Sequence, residues 1–263
     1  MNEMKDKLIK SMDNPKLFFN TLQGVKDDED LDKLCILLKE ESGIDYFRLA
    51  IDAINSQYSV FTLSRILEKV ASFSILNMQN ILNLYEIIFE SMRGDGASYF
   101  QYDITKNIAI HNKDYAVLLL NEMYNVNKEY TMYHISTILS TLHNNHNNSQ
   151  YETIKSFLSD TSNIYKTRSA IDAIKNIELS SEEANEVFEL FKKIQQLSHK
   201  DLETELIYSS NKLISKYHIF KKLLENYSMS KNAEIKYHIS RILMLNSKKY
   251  IKDIWFKKCL FFL

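Results

Sequence analysis

From residue 97 to residue 263 the chain contains neither glycine nor proline, and only four glycines and one proline occur in all 263 residues. Turn-rich β architectures reverse direction through such residues, so a chain this poor in them is directed towards helices. The few breakers stand at junctions. Asn14-Pro15 has the form of an N-cap followed by proline at the first helical position. Gly24 and Gly43 fall where a helix is expected to end in a left-handed residue, and Gly94 and Gly96 lie in RGDGAS between two apolar periodic segments. Beyond them the turns are left to Asn, Ser, Asp and Lys, in NKDY, HNNHNNSQ, SDTSN, LSSEE and YSMSKN.

The apolar spacing between these signals is helical. In SSEEANEVFELFKKIQQL, Ala184, Val187, Phe188, Phe191, Ile194 and Leu197 recur at three and four residues, with Ser180 and Glu183 forming a capping box ahead of them. The same pattern predicts sixteen helices, near 3–12, 15–23, 28–42, 44–56, 58–72, 75–93, 97–111, 113–126, 129–144, 149–159, 163–178, 181–197, 199–215, 217–227, 232–246 and 248–261. No stretch reads as a strand. The expected class is all-α.

The chain also repeats itself. YHISTIL at 133–139 returns as YHISRIL at 237–243, and RLAIDAI at 48–54 returns as RSAIDAI at 168–174, each with one change. Related segments stand at FTLSRIL (61–67), YDITKNI (102–108) and, weakly, IYSSNKL (207–213). Their aligned apolar anchors, Leu63, Ile104, Ile135, Ile171 and Ile239, are separated by steps of 41, 31, 36 and 68, the last being twice 34. Such steps suit helical-hairpin repeats, each hiding its apolar side on the next. The echoed segments are then expected in the second helix of successive pairs.

FRLAIDAI and TRSAIDAI, Phe47 to Ile54 and Thr167 to Ile174, resemble the second helix of a HEAT repeat, where an apolar residue and Arg precede small residues and a closing Leu or Ile. The resemblance implies a right-handed α-solenoid of about six hairpins in one domain spanning 1–263. Residues 1–42 would form an irregular N-terminal helical cap and 248–263 a C-terminal capping helix.

Motifs for chemistry are missing. The sequence has no GxxxxGK, GxGxxG, HExxH or GxSxG. Cys35 and Cys259 are isolated, without a CxxC or nearby His, and are expected as two buried, reduced thiols. His143 and His146 flank two asparagines in an expected polar turn, Asp27-Asp28-Glu29-Asp30 reads as a helix start, and His134 and His238 each precede a core isoleucine. No catalytic residue, cofactor or metal is expected. Alkylpurine DNA glycosylases are HEAT-like and use tryptophan, an acid and a strongly basic lining. This chain has one tryptophan, Trp255, and a net charge of −1.

That small net charge hides a gradient. Residues 201–263 carry twelve Lys/Arg against six Asp/Glu, while residues 1–50 carry eight against eleven. With no apolar N-terminal run and none approaching the ~20 residues needed to span a bilayer, a cytoplasmic location is expected, with no membrane partner. On the pattern of YHISRIL, Ile239 and Ile242 turn inward and leave Lys236, Tyr237, Ser240 and Arg241 outward; the corresponding outward candidates are Arg65, Tyr102, Lys106, Tyr133, Thr137 and Arg168. The resemblance places these second helices along a concave surface, where Tyr and Arg suit a protein interface. The expected function is therefore non-catalytic binding of a protein partner, as in a bacterial adaptor or a toxin-neutralising immunity protein. A nucleic-acid-binding HEAT-like solenoid using the basic C-terminal quarter, the alkylpurine DNA glycosylase type among its forms, is the alternative. The apolar tail IWFKKCLFFL, 254–263, is expected to cover the preceding hairpin or to support a dimer.

Overall fold

The computed structural model describes residues 2–72, 77–91, 100–145 and 150–263; the expectations for Gly94, Gly96 and His146 lie outside them. Among the described residues there are sixteen α-helices and no strand: α1 (Asn2–Lys10), α2 (Pro15–Gln23), α3 (Asp28–Ser42), α4 (Tyr46–Asn55), α5 (Val60–Ala71), α6 (Met78–Ser91), α7 (Phe100–His111), α8 (Lys113–Val126), α9 (Met132–Asn145), α10 (Tyr151–Ser159), α11 (Ile164–Ile174), α12 (Ser181–Gln195), α13 (Lys200–Leu213), α14 (Lys221–Ser228), α15 (Ala233–Tyr250) and α16 (Ile254–Phe262). Single 3-10 turns, Glu129–Thr131 and His218–Phe220, lead into α9 and α14.

Local chemistry sets most helix ends. The Asn14 side chain accepts from Leu17 N at 3.2 Å, with Pro15 opening α2. Ser180 and Glu183 make the reciprocal capping box of α12. Gly43 takes the left-handed conformation at φ 62°, but Gly24 ends α2 at φ −67°, in ordinary right-handed geometry. The left-handed region is also occupied by Gln57, Asn127 and Ser198, at φ 66°, 48° and 51°. Two of these fall in the glycine-free part of the chain, where a side chain must be accommodated at a turn that glycine would make with less strain.

Several boundaries differ from the periodic expectation, and the structure accounts for three of them. The break expected near 247 is absent, because Asn246 and Ser247 bond back to Ile242 O and Met244 O within the helix, and α15 runs on to Tyr250. α11 stops at Ile174 rather than near 178; beyond it Asn176 O accepts from Asn144 and Leu179 is held by the Tyr217 hydroxyl, so neighbouring helices take over the backbone groups. α12 ends at Gln195, which leaves Leu197 half exposed instead of on the packed face with Phe188 and Phe191.

Contacts divide the chain into two compact units, Met1–Val126 and Asn127–Leu263. In the first, α1 packs on α3, α3 on α5 and α5 on α7, while α2 packs on α4 and α4 on α6. In the second, α9 packs on α11, α11 on α13 and α13 on α15, while α10 packs on α12 and α14 on α16. Each unit thus has an odd-numbered series in which each helix meets the helix two further along, and even-numbered helices that meet as α2, α4 and α6 in the first unit and as the pairs α10 with α12 and α14 with α16 in the second. The side-chain bonds between stacked helices record the step: Lys69 to Asp32 spans 37 residues, Asn80 to Asp45 35, Ser136 to Asp172 36, Ser209 to Ile171 38, Lys212 to Asn176 36 and Asn246 to Asn211 35.

All five repeated anchors lie on odd-numbered helices, and each of Leu63, Ile104, Ile135, Ile171 and Ile239 is at most 1% exposed. Burial of such a side chain is worth about 1.5–3 kcal/mol, so the echo marks the residues that join helix to helix. The second echo behaves differently. RLAIDAI lies in α4, which packs on α2 and α6, whereas RSAIDAI lies in α11, between α9 and α13. FTLSRIL follows in α5, so residues 48–54 and 61–67 occupy opposed, successive helices and cannot both be second members of a pair.

Candidate functional site

In the first unit, Arg65 is tied inward. From α5 its guanidinium donates to Asp28 at 2.6 and 3.2 Å and to the carbonyls of Val25 and Lys26 at 3.0 and 3.1 Å. The bonded Arg65, then the nearby Lys69, hold the Asp28 carboxyl below its ordinary range. Arg65 therefore clasps the segment before α3 rather than offering a free fork. On α7, Tyr102 is half-buried and Lys106 exposed.

In the second unit, Tyr133 and Arg168 act as fasteners between helices, whereas Thr137 bonds within its own helix. The Tyr133 hydroxyl donates to Glu205 Oε1 at 2.8 Å, reaching from α9 to α13 across 72 residues, two repeat steps. Arg168, with 15% of its side chain exposed, stands 3.6 Å from Glu205 and 3.9 Å from Glu129. Asp172 accepts from Ser136 at 2.5 Å and from Lys175. The Glu205 carboxyl is pushed above its ordinary range, first by burial and then by Asp172 nearby. Thr137 turns its hydroxyl back to Tyr133 O at 2.8 Å. Ser169 and Ser209 donate to the carbonyls of Met132 and Ile171 on the adjacent helices. The hydroxyls of Tyr133, Ser169 and Ser209 are committed to holding α9, α11 and α13 together.

Arg48 and Asp52, the α4 counterparts of Arg168 and Asp172, form an i,i+4 pair with 66% and 42% of their side chains exposed. One heptapeptide pattern thus supports a surface pair in one place and a buried network in another. The acid among alanine and isoleucine is common to RLAIDAI and RSAIDAI, so it does not mark the network by itself. Glu205 lies one turn before buried Ser209. Neither Asp172 nor Glu205 was singled out from the sequence.

The outward residues sit on α15. Tyr237 is 60% exposed and Arg241 is exposed beside it, while Lys236 reaches Phe262 O at 2.9 Å. The Tyr237 ring meets His238 edge-on at 5.5 Å, and His238 Nδ1 lies 3.1 Å from the Tyr208 hydroxyl on α13. α15 packs on α13, α14 and α16, and Tyr237, Met244 and Leu245 on it remain exposed. The aromatic group Tyr208, Tyr237 and His238 was only partly visible in the sequence, because Tyr208 belongs to the weakest of the echoes.

His134 is fully buried, and burial pulls its imidazole down to about 3, so it is neutral across the physiological range. His143 accepts from Gln150 N at 3.3 Å. Both thiols, Cys35 and Cys259, are free and buried, and burial pushes each up to about 11. No three His, Cys, Asp or Glu side chains converge in a metal-binding arrangement among the described residues, and no helix there is long and apolar enough to cross a membrane. No protein-family model matches the chain, and no curated protein or solved structure matches it either.

Proposed function

We propose that the chain is a right-handed α-solenoid of about six HEAT-like hairpins that binds a protein partner and performs no catalysis, in the manner of an adaptor or a toxin-neutralising immunity protein. The packing of each odd-numbered helix on the next odd-numbered one within its unit, and the bonds spaced by 35 to 38 residues, support the repeat reading. Within it the odd-numbered helices supply the groove. The observation that carries the binding reading is Tyr237 with Arg241, a large aromatic and a guanidinium presented together on a helix anchored from behind by Ile239 and Ile242. Tyr and Arg on a rigid support recur at the energetic centres of interfaces, and a preformed surface loses little ordering entropy on association.

The test is capture from the native cell by immobilised protein. Tyr237→Ala and Arg241→Ala are each expected to weaken capture about tenfold, the effect of roughly 1.4 kcal/mol, with an unchanged thermal melt. Capture equal to that of the unaltered chain retires this face. Tyr133 is a poor probe, because its removal leaves the buried Glu205 without its donor. The rival reading, a duplex-binding solenoid, draws on the basic C-terminal quarter, residues 201–263, with twelve Lys/Arg against six Asp/Glu. It requires binding that falls steeply with added salt; no binding to duplex at low salt removes it.

A further inference from the structure

We propose that the outer side of the last hairpin, α15 and α16, docks on an anionic phospholipid surface. α16 is apolar on two sides, and only one is covered. Trp255, Phe256 and Cys259 are buried, where α16 packs on α14 and α15. Ile254 and Phe261, seven residues apart and so on one side of the helix, are 75% and 83% exposed. At 100° per residue Lys257 and Lys258 fall on either side of that apolar pair, and both are exposed. Met244 and Leu245 on α15, each 68% exposed, precede the exposed Lys248 and Lys249. Ile251 and Lys252 in the connecting turn continue the same alternation, both exposed. Beside α16, Met229, Phe261 and Phe262 line a cleft together with Lys258 and one acid, Glu225.

Charge decides among the possible occupants. Residues 236–263 hold seven Lys/Arg and one acid, Asp253, whose carboxylate already accepts from Trp255 Nε1 at 3.0 Å and from Lys221 at 3.4 Å. A second copy seated on this side would bring two strongly positive surfaces together. Nucleic acid would satisfy the lysines and leave the Ile and Phe side chains in water. An anionic bilayer takes both: the apolar tips enter the boundary between headgroups and acyl chains while the lysines reach the phosphates. The protein would lie on such a surface without spanning it.

Sedimentation with vesicles tests this. Partition into phosphatidylcholine vesicles containing about one third phosphatidylglycerol is expected to exceed that into pure phosphatidylcholine by at least about tenfold, because several lysines approach the anionic surface together. Ile254→Ser with Phe261→Ser, and separately Lys257→Glu with Lys258→Glu, are each expected to lower it by about tenfold or more. These side chains are exposed, so an unchanged melt is the control for folding. Equal partition into both vesicles, or binding that survives Ile254→Ser with Phe261→Ser, overturns the proposal. So does a dimer in solution that those substitutions dissolve, or capture of a protein that they abolish while vesicles stay unbound. None of these variants alters Tyr237 or Arg241, so failure here and failure of the protein-binding face are read separately.

Discussion

His134 shows how one buried side chain ties stability to pH. Its folded imidazole resists protonation down to about 3, whereas an unfolded histidine takes up a proton near its ordinary value of 6.5. Between those values the unfolded chain binds more protons, so acidification favours unfolding and the contribution of His134 is retained only above about 6.5. From pH 7 to pH 5 this one residue is expected to cost about 2 kcal/mol of stability, at about 1.4 kcal/mol per unit below 6.5. Urea melts of the unaltered chain and of His134→Gln at both pH values measure it: the variant should lose about 2 kcal/mol less over the interval. Parallel losses would show that His134 is not the source.

At the scale of elements, the second unit joins α9, α11 and α13 through charge as well as through isoleucine. Removing Arg168 from that network leaves Glu205 with the Tyr133 hydroxyl and the field of Lys175, and sets Glu129 beside an apolar neighbour. Arg168→Met is therefore expected to destabilise by about 3 kcal/mol at pH 8, since a buried charge loses an ion-pair partner. Glu205 already holds its proton to higher pH in the folded state than when unfolded, and loss of Arg168 raises it further. A carboxyl raised in this way favours folding at low pH and loses that contribution as pH rises through its folded value. The deficit of Arg168→Met should consequently shrink at pH 5. Adding Glu205→Gln, which keeps an acceptor for Tyr133, should recover much of it at pH 8. Denaturant midpoints at the two pH values decide the matter; a deficit independent of pH, or no recovery, would mean that packing of the arginine stem rather than its charge is what counts.

At the scale of the whole molecule, stability is expected to follow the neighbours each helix possesses. Ile171 and Ile239 occupy the same position of the repeat and are equally buried, but α11 lies between α9 and α13 while α15 has α13 alone in its series. Ile171→Ala opens a cavity walled on both sides and should cost about 4 kcal/mol. Ile239→Ala lies on a helix with an exposed side, towards which the structure can relax, and should cost about 2 kcal/mol. Equilibrium unfolding of the two variants gives the comparison, and equal costs would contradict a nearest-neighbour account of this unit.

What the sequence determined by itself was local and periodic. Sixteen helices, the Asn14-Pro15 start, the Ser180 capping box and the buried anchors follow from forces acting within a few residues or from a repeated apolar pattern, and all of them are found in the structure. What only the tertiary structure decided was which polar side chains stay outside. Tyr133 and Tyr237 occupy one position of one motif, yet the first is bonded to Glu205 seventy-two residues away and the second is exposed. Arg48 and Arg168 diverge in the same manner. The physical reason is that a helical period tells which side of a helix is packed, while the fate of a side chain at the edge of that side depends on whether another helix, distant in sequence, arrives to cover it and supplies a partner of the right charge.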